Sequence, residues 1–190
     1  MPLPKGNDPP ARIQIQDVQP VLDCGRWPVK RSAGDAVEVT ATIFRDGHDV
    51  LGAAVRYKAA PARTWQESPL EPLGNDRWRG RFTTDTCGRW CFRIEAWTDR
   101  IASFQDELRR KVEAGQEDLS GELAEGAVLL GTESATVEDA LAVESSDRWG
   151  RVWSSTYAVD VDRERARFGA WYELFPRSWD GFRGVERVLP

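Results

Sequence analysis

Nine tryptophans stand in this sequence, and four of them directly follow an arginine: Arg26-Trp27, Arg77-Trp78, Arg89-Trp90 and Arg148-Trp149. An indole face stacks against the apolar face of a sugar ring while a neighbouring guanidinium bonds hydroxyls, so this pairing of types suits carbohydrate contact. Packing competes for the same residues. Trp90 shares an alternating face with Phe92 and Ile94 and is expected in the core. Trp65, Trp97, Trp149 and Trp153 are less constrained, and they are the candidate sugar or interface contacts. For each of them the competing role is core, interface or interdomain packing.

A second constellation is Cys24, Cys87 and Cys91 with the single histidine, His48, because three sulfurs and one imidazole would satisfy a tetrahedral zinc ion. Spacing argues against it. On one extended strand Cys87 and Cys91 would lie about 13 Å apart at about 3.3 Å per residue, too far to share a metal without a bend at Gly88. Packing thiols are expected instead, and no metal or cofactor site is assigned. His48 follows Asp46 and Gly47, a turn signature, and reads as a solvated turn residue.

Composition narrows the function classes. The chain has 190 residues, 41% of them hydrophobic and 30% charged, enough apolar content for a core. A net charge of -5 gives no overall positive field for phosphate backbones or an anionic membrane, so neither nucleic acid nor membrane is an expected partner. An odd cysteine count without dense spacing fits reduced thiols. With no signal-peptide pattern and no membrane-length apolar run, a cytoplasmic location is expected, with residues 1–11 as a disordered lead-in.

The elements that position these residues follow from periodicity. Residues 12–98 read as all-β. Val37, Val39, Ala41 and Ile43 alternate with Glu38, Thr40 and Thr42, a turn at 45–48 follows, and Leu51, Ala53, Val55 and Tyr57 face inward on the next strand. Ile13, Ile15 and Asp17 share a face of an earlier strand. Pro61, Pro69 and Pro72 confine their segment to edges and loops. Trp78 and Phe82, then Trp90, Phe92, Ile94 and Ala96, mark two further strands. The spacing predicts an immunoglobulin-like β-sandwich over 12–98 and 151–168.

Between these segments the period changes. Ile101, Phe104, Leu108 and Val112 recur at helical spacing, as do Leu119, Leu123, Ala127 and Leu130, then Val137, Ala140 and Leu141. Thr136 and Asp139 resemble a capping box, and Gly115, Gly121, Gly126 and Gly131 divide or weaken the first two helices. Residues 99–150 are therefore expected to form a small inserted helical bundle that leans on the sheet or on another subunit. Trp171, Tyr172, Leu174 and Phe175, closed by Pro176, read as a buried strand with no helix or neighbouring strand after it, the opening of a further domain over 169–190.

Residues 75–82 (NDRWRGRF) and 88–97 (GRWCFRIEAW) are similar to the strand pair of the sandwich domains that precede α-amylase-superfamily barrels. Residues 13–20 (IQIQDVQP), 25–30 (GRWPVK) and 170–178 (AWYELFPRS), with the helical block, narrow the resemblance to the bacterial α-1,4-glucan:maltose-1-phosphate maltosyltransferases from Arg12 onward. The resemblance implies a parent enzyme that moves a maltosyl unit from maltose 1-phosphate to the non-reducing end of an α-1,4-glucan with retention. Such chemistry takes two carboxyl groups about 5 Å apart and a covalent glycosyl-enzyme. In the family those groups lie on middle strands of a (β/α)8 barrel, and no position of this chain matches them. Glu173 has no catalytic role on this reading, and the chain alone is expected to be inactive. The resemblance implies instead that the sandwich and insert pack against the parent's barrel, of which only the first strand would be present, and contribute to a homodimer. An α-glucan-binding module using exposed tryptophans is the alternative.

Overall fold

A computed structural model describes residues 11–133, 136–169 and 173–189. Ten strands are formed by Ile13–Gln19 (β1), Val29–Ser32 (β2), Ala36–Arg45 (β3), Leu51–Ala59 (β4), Gln66–Pro69 (β5), Glu71–Gly74 (β6), Arg77–Thr83 (β7), Gly88–Thr98 (β8), Trp149–Trp153 (β9) and Tyr157–Asp162 (β10). Helices Arg100–Glu113 (α1), Ser120–Leu130 (α2) and Val137–Ala142 (α3) come between β8 and β9, and Phe182–Val188 (α4) follows the last strand. The chain is mostly β, with these helices beside it.

The strands make two sheets, one ordered β1-β3-β7-β6 and one ordered β2-β10-β8-β4-β5, with β9 also paired to β8. Antiparallel pairing holds throughout except between β10 and β2, which run parallel. Alternation drives the layering. Val37, Val39, Ala41 and Ile43 of β3 are buried, and they meet Val55 of β4 and Trp90, Phe92, Ile94 and Ala96 of β8 in one core between the sheets. Each such large side chain contributes roughly 1.5–3 kcal/mol by leaving water. The two indoles of this core keep a polar partner: the Trp78 Nε1–H donates to the Ile43 carbonyl at 3.2 Å, and that of Trp90 to the Thr86 carbonyl at 2.9 Å. Asn75 and Asp76, with φ of 49° and 59°, form the tight turn that joins β6 to β7.

The prolines act as their chemistry requires. Pro69 and Pro72 lie on β5 and β6, the edge strands of the two sheets. β1 departs from simple alternation. Asp17 takes φ 49° and the register with β3 shifts between Gln16 and Gln19, so Asp17 is exposed and Val18 turns into the core. A bulge re-aims every later side chain, which is why the expected shared face of Ile13, Ile15 and Asp17 fails at its last member.

The helices bury little of their own. Leu108, Ala127, Ala140 and Gly126 are the buried residues of α1 to α3, and Gly126 lies directly against the Phe104 ring, which lets α1 and α2 approach closely. Asp99 caps α1 by accepting from Ala102 N–H, and Thr136 with Asp139 forms the capping box expected for α3. Gly131, at φ 71°, ends α2.

The expected strand near the C-terminus is not seen where the chain is described. Trp171 and Tyr172 lie outside the described residues, and Leu174 and Phe175 belong to no strand. A 3-10 turn at Pro176–Trp179 and α4 follow, although no helix was expected there. A strand needs a neighbour for its backbone groups, and none is present among the described residues, whereas a helix satisfies its own.

Candidate functional site

The side of β8 turned away from the core carries Cys91, Arg93, Glu95 and Trp97. In register across β4 stand Lys58, Arg56, Ala54 and Gly52. Glu67 of β5 faces Arg56, and Trp153 of β9 faces Glu95. The pleat thus gathers charges and indoles from four strands onto the outer face of the larger sheet.

Glu95 is fully buried, at 0% exposure, and anchors this face. Arg56 Nε donates to its Oε2 at 2.7 Å, Arg148 approaches the same oxygen at 3.6 Å, and Arg151 lies 3.4 Å from Oε1. The Arg151 approach is an ion pair without hydrogen-bond alignment, which leaves Oε1 without a hydrogen bond. Glu67 completes the network by accepting from Nη1 and Nη2 of Arg148, at 3.0 and 2.6 Å, and pairing with Arg56 at 2.7 Å. The hydrogen bond from Arg148 holds the Glu67 carboxyl below the usual carboxylate range, against the opposing effect of burial, and Arg56 adds to it.

Of the four candidate tryptophans, two are brought together. The Arg93 guanidinium lies over both Trp65 and Trp153, 4.5 and 4.0 Å from their ring centroids. Trp97 is buried on the same face between Gly52 and the Arg148 guanidinium, which stacks 4.1 Å from its centroid. Trp149 stands apart, 49% exposed, with Arg100 at 5.9 Å. Adjacency in sequence misleads here, since Arg148 serves Trp97 rather than Trp149. A Cβ at Gly52 would enter the Trp97 ring. Gly52→Ala is therefore expected to displace the indole and destabilise by about 1–3 kcal/mol, read by urea unfolding and near-ultraviolet dichroism.

Arg56, Lys58, Glu67, Arg93 and Glu95 were not singled out by sequence reasoning. The outward position of Arg93 and Glu95 on β8 was readable from the same alternation that buries Phe92 and Ile94. Their partners were not, because cross-strand register is invisible in one sequence. Among the described residues no cluster of histidine, cysteine and carboxylate side chains could hold a metal. His48 sits at the β3–β4 turn and lines a groove of about 470 Å³ with Phe104, Leu108 and Val128 of the helices.

The helical block is fastened at its neck. Arg100, at its start, donates from Nε and Nη2 to Asp147, at its end, at 2.8 Å each, and Ser145 donates to Asp99. The Arg100 hydrogen bond lowers the Asp147 pKa, and burial works the other way. A carboxyl with a depressed folded pKa stabilises above its unfolded value, about 3.9, and loses that contribution as pH falls through the folded value. Asp147→Asn is therefore expected to be less stable than the parent at pH 7, with the gap narrowing as pH falls below about 3.9. Urea midpoints at pH 7 and pH 3 measure it.

Residues 11–169 match the family described as alpha-1,4-glucan:maltose-1-phosphate maltosyltransferase, domain N/S. Enzymes of that name from Myxococcus xanthus and Pseudomonas aeruginosa are each 38% identical over 94% of this chain, and that from Salinibacter ruber is 36% identical over 88%. The matched regions make up 34%, 33% and 30% of those three proteins, so the chain spans about a third of their length. On the match of residues 11–169, which takes in both sheets and the first three helices, the chain belongs to the maltosyltransferase family as its domain N/S.

Proposed function

We propose that this chain is the N-terminal, non-catalytic region of a cytoplasmic enzyme that transfers maltosyl units from maltose 1-phosphate to the non-reducing end of α-1,4-glucans by a retaining double displacement. The observation that carries the reading is the match over residues 11–169 to relatives about three times as long. On it, residues 12–98 and 151–168 are an immunoglobulin-like sandwich, 99–150 an inserted bundle, and 169–190 the opening of the catalytic barrel. The segment itself serves barrel packing and dimerisation. The sparse burial in the helices supports a partner there, since Val128 is 82% exposed and Val112 also faces solvent.

The test is the mass of the native product in source cells, detected with an antibody to this segment. A product about three times heavier than this chain that releases phosphate from maltose 1-phosphate with a glucan acceptor is the expected result. A product no heavier than this chain overturns it.

Glucan binding by this region is the second reading, favoured by the exposure of Trp149 and Trp153. The Arg93 guanidinium already covers a face of both Trp65 and Trp153, which leaves less indole surface for a sugar. Maltoheptaose should quench tryptophan emission if this reading holds, and leave it unchanged if the region serves assembly alone.

A further inference from the structure

Two cations on the outer face of the larger sheet differ from their neighbours. Arg56, Arg148 and Arg151 each pair with Glu67 or Glu95. Those two carboxylates are committed to them. Lys58 and Arg93, among the described residues, have no carboxylate within ion-pair distance and make no side-chain hydrogen bond, and the buried Arg93 Nε has no acceptor. Both nonetheless converge on one indole, with Lys58 Nζ 5.0 Å and the Arg93 guanidinium 4.5 Å from the Trp65 centroid. Their charges lie within about 10 Å of each other, the screening length at 0.1 M salt, so they repel unless an anion joins them.

We propose that Lys58 and Arg93, gathered on Trp65, bind a phosphate monoester dianion at the outer face of the larger sheet. The guanidinium is planar and held against two indole faces, which fixes its plane and presents its edge for two parallel hydrogen bonds to oxygens of one tetrahedral anion. Lys58 adds a second charge on a flexible stem. Two unpaired cations match a dianion, whereas a single carboxylate would leave one of them uncompensated. The 41% exposed Trp153 ring gives the ester's organic group a wall to pack on. The Cys91 thiol, opposite Lys58 and two residues before Arg93 on β8, reports the same clustering. Burial raises its pKa, while Lys58 and then Arg93 draw it back.

The site is independent of the role of the chain in assembly. Its test is a titration of this chain with sodium phosphate at pH 7.5, ionic strength held constant with sodium chloride, followed by the indole N–H resonances in ¹H–¹⁵N spectra. Trp65 and Trp153 should shift saturably while Trp27 and Trp179 stay fixed. Lys58→Met and Arg93→Lys should each weaken the apparent affinity at least fivefold. Lys58→Met removes no hydrogen bond of the fold, so it keeps the test valid if an Arg93 variant disturbs packing. Shifts of equal size with chloride alone, or unchanged affinity in Lys58→Met, would overturn the proposal.

Discussion

Arg56→Met should lower the unfolding free energy by about 3–5 kcal/mol, because it removes the 2.7 Å donor to a carboxylate that has no access to water. Arg148 and Arg151 stand farther off, at 3.6 and 3.4 Å, and Arg148 is already committed to Glu67. The buried charge of Glu95 is then poorly compensated, and that penalty rather than a lost attraction makes up most of the expected effect. The double variant Arg56→Met, Glu95→Met separates the two. Removing both partners takes away the uncompensated charge, so the pair should recover most of the loss, with a coupling energy of at least about 2 kcal/mol. Urea unfolding of the single and double variants gives the cycle. A single variant within about 1 kcal/mol of the parent would show that the network is not held by Arg56.

A comparable loss is expected at the centre of the core. Phe92 is fully buried, and its cross-strand partners are Tyr57 on β4 and Tyr157 on β10. Its ring lies 5.9 Å from Phe82, across the sandwich, and 5.5 Å from Tyr157. Phe92→Ala removes the side chain that touches both sheets, at a cost of about 3–5 kcal/mol. Against a total stability of about 5–15 kcal/mol, that shift lowers the melting temperature by on the order of 10 °C. Phe92→Leu keeps much of the volume and should cost less than half as much. Equal melting temperatures for the two variants would show that the cavity closes by collapse.

The long strands were legible because alternation over nine or more residues leaves only one face for the core. β3 and β8 place Val37, Val39, Ile43, Phe92 and Ile94 as the pattern requires. Short strands were not legible. β2, β5, β6 and β9 have four or five residues each, too few for a period, and they exist because longer neighbours offer them hydrogen bonds. At the outer face the types could be read and the geometry could not. Trp65 and Trp153 stand 88 positions apart in the chain and meet only through Arg93, which alternation exposes but does not pair. The family resemblance was carried by strand motifs and element order, both of which survive in a single sequence. The glycine at 52 gave no sign of the indole it accommodates.

The parallel pairing of β10 with β2 sets a schedule on folding. Lys30 and Asp162, joined at 3.1 Å across this pairing, are 132 residues apart in sequence. Closing so long a loop costs about 2 kcal/mol more than closing a ten-residue one, and the contacts that repay it cannot form until β10 has been synthesised. The clamp from Arg100 to Asp147 shortens the task, because a helical block that closes its own neck takes about a third of that loop out of play. On a ribosome the smaller sheet and the helical block are therefore available early, while β2 and part of the β8 edge wait with open backbone groups. In that interval a nascent chain is most exposed to pairing with the wrong strand.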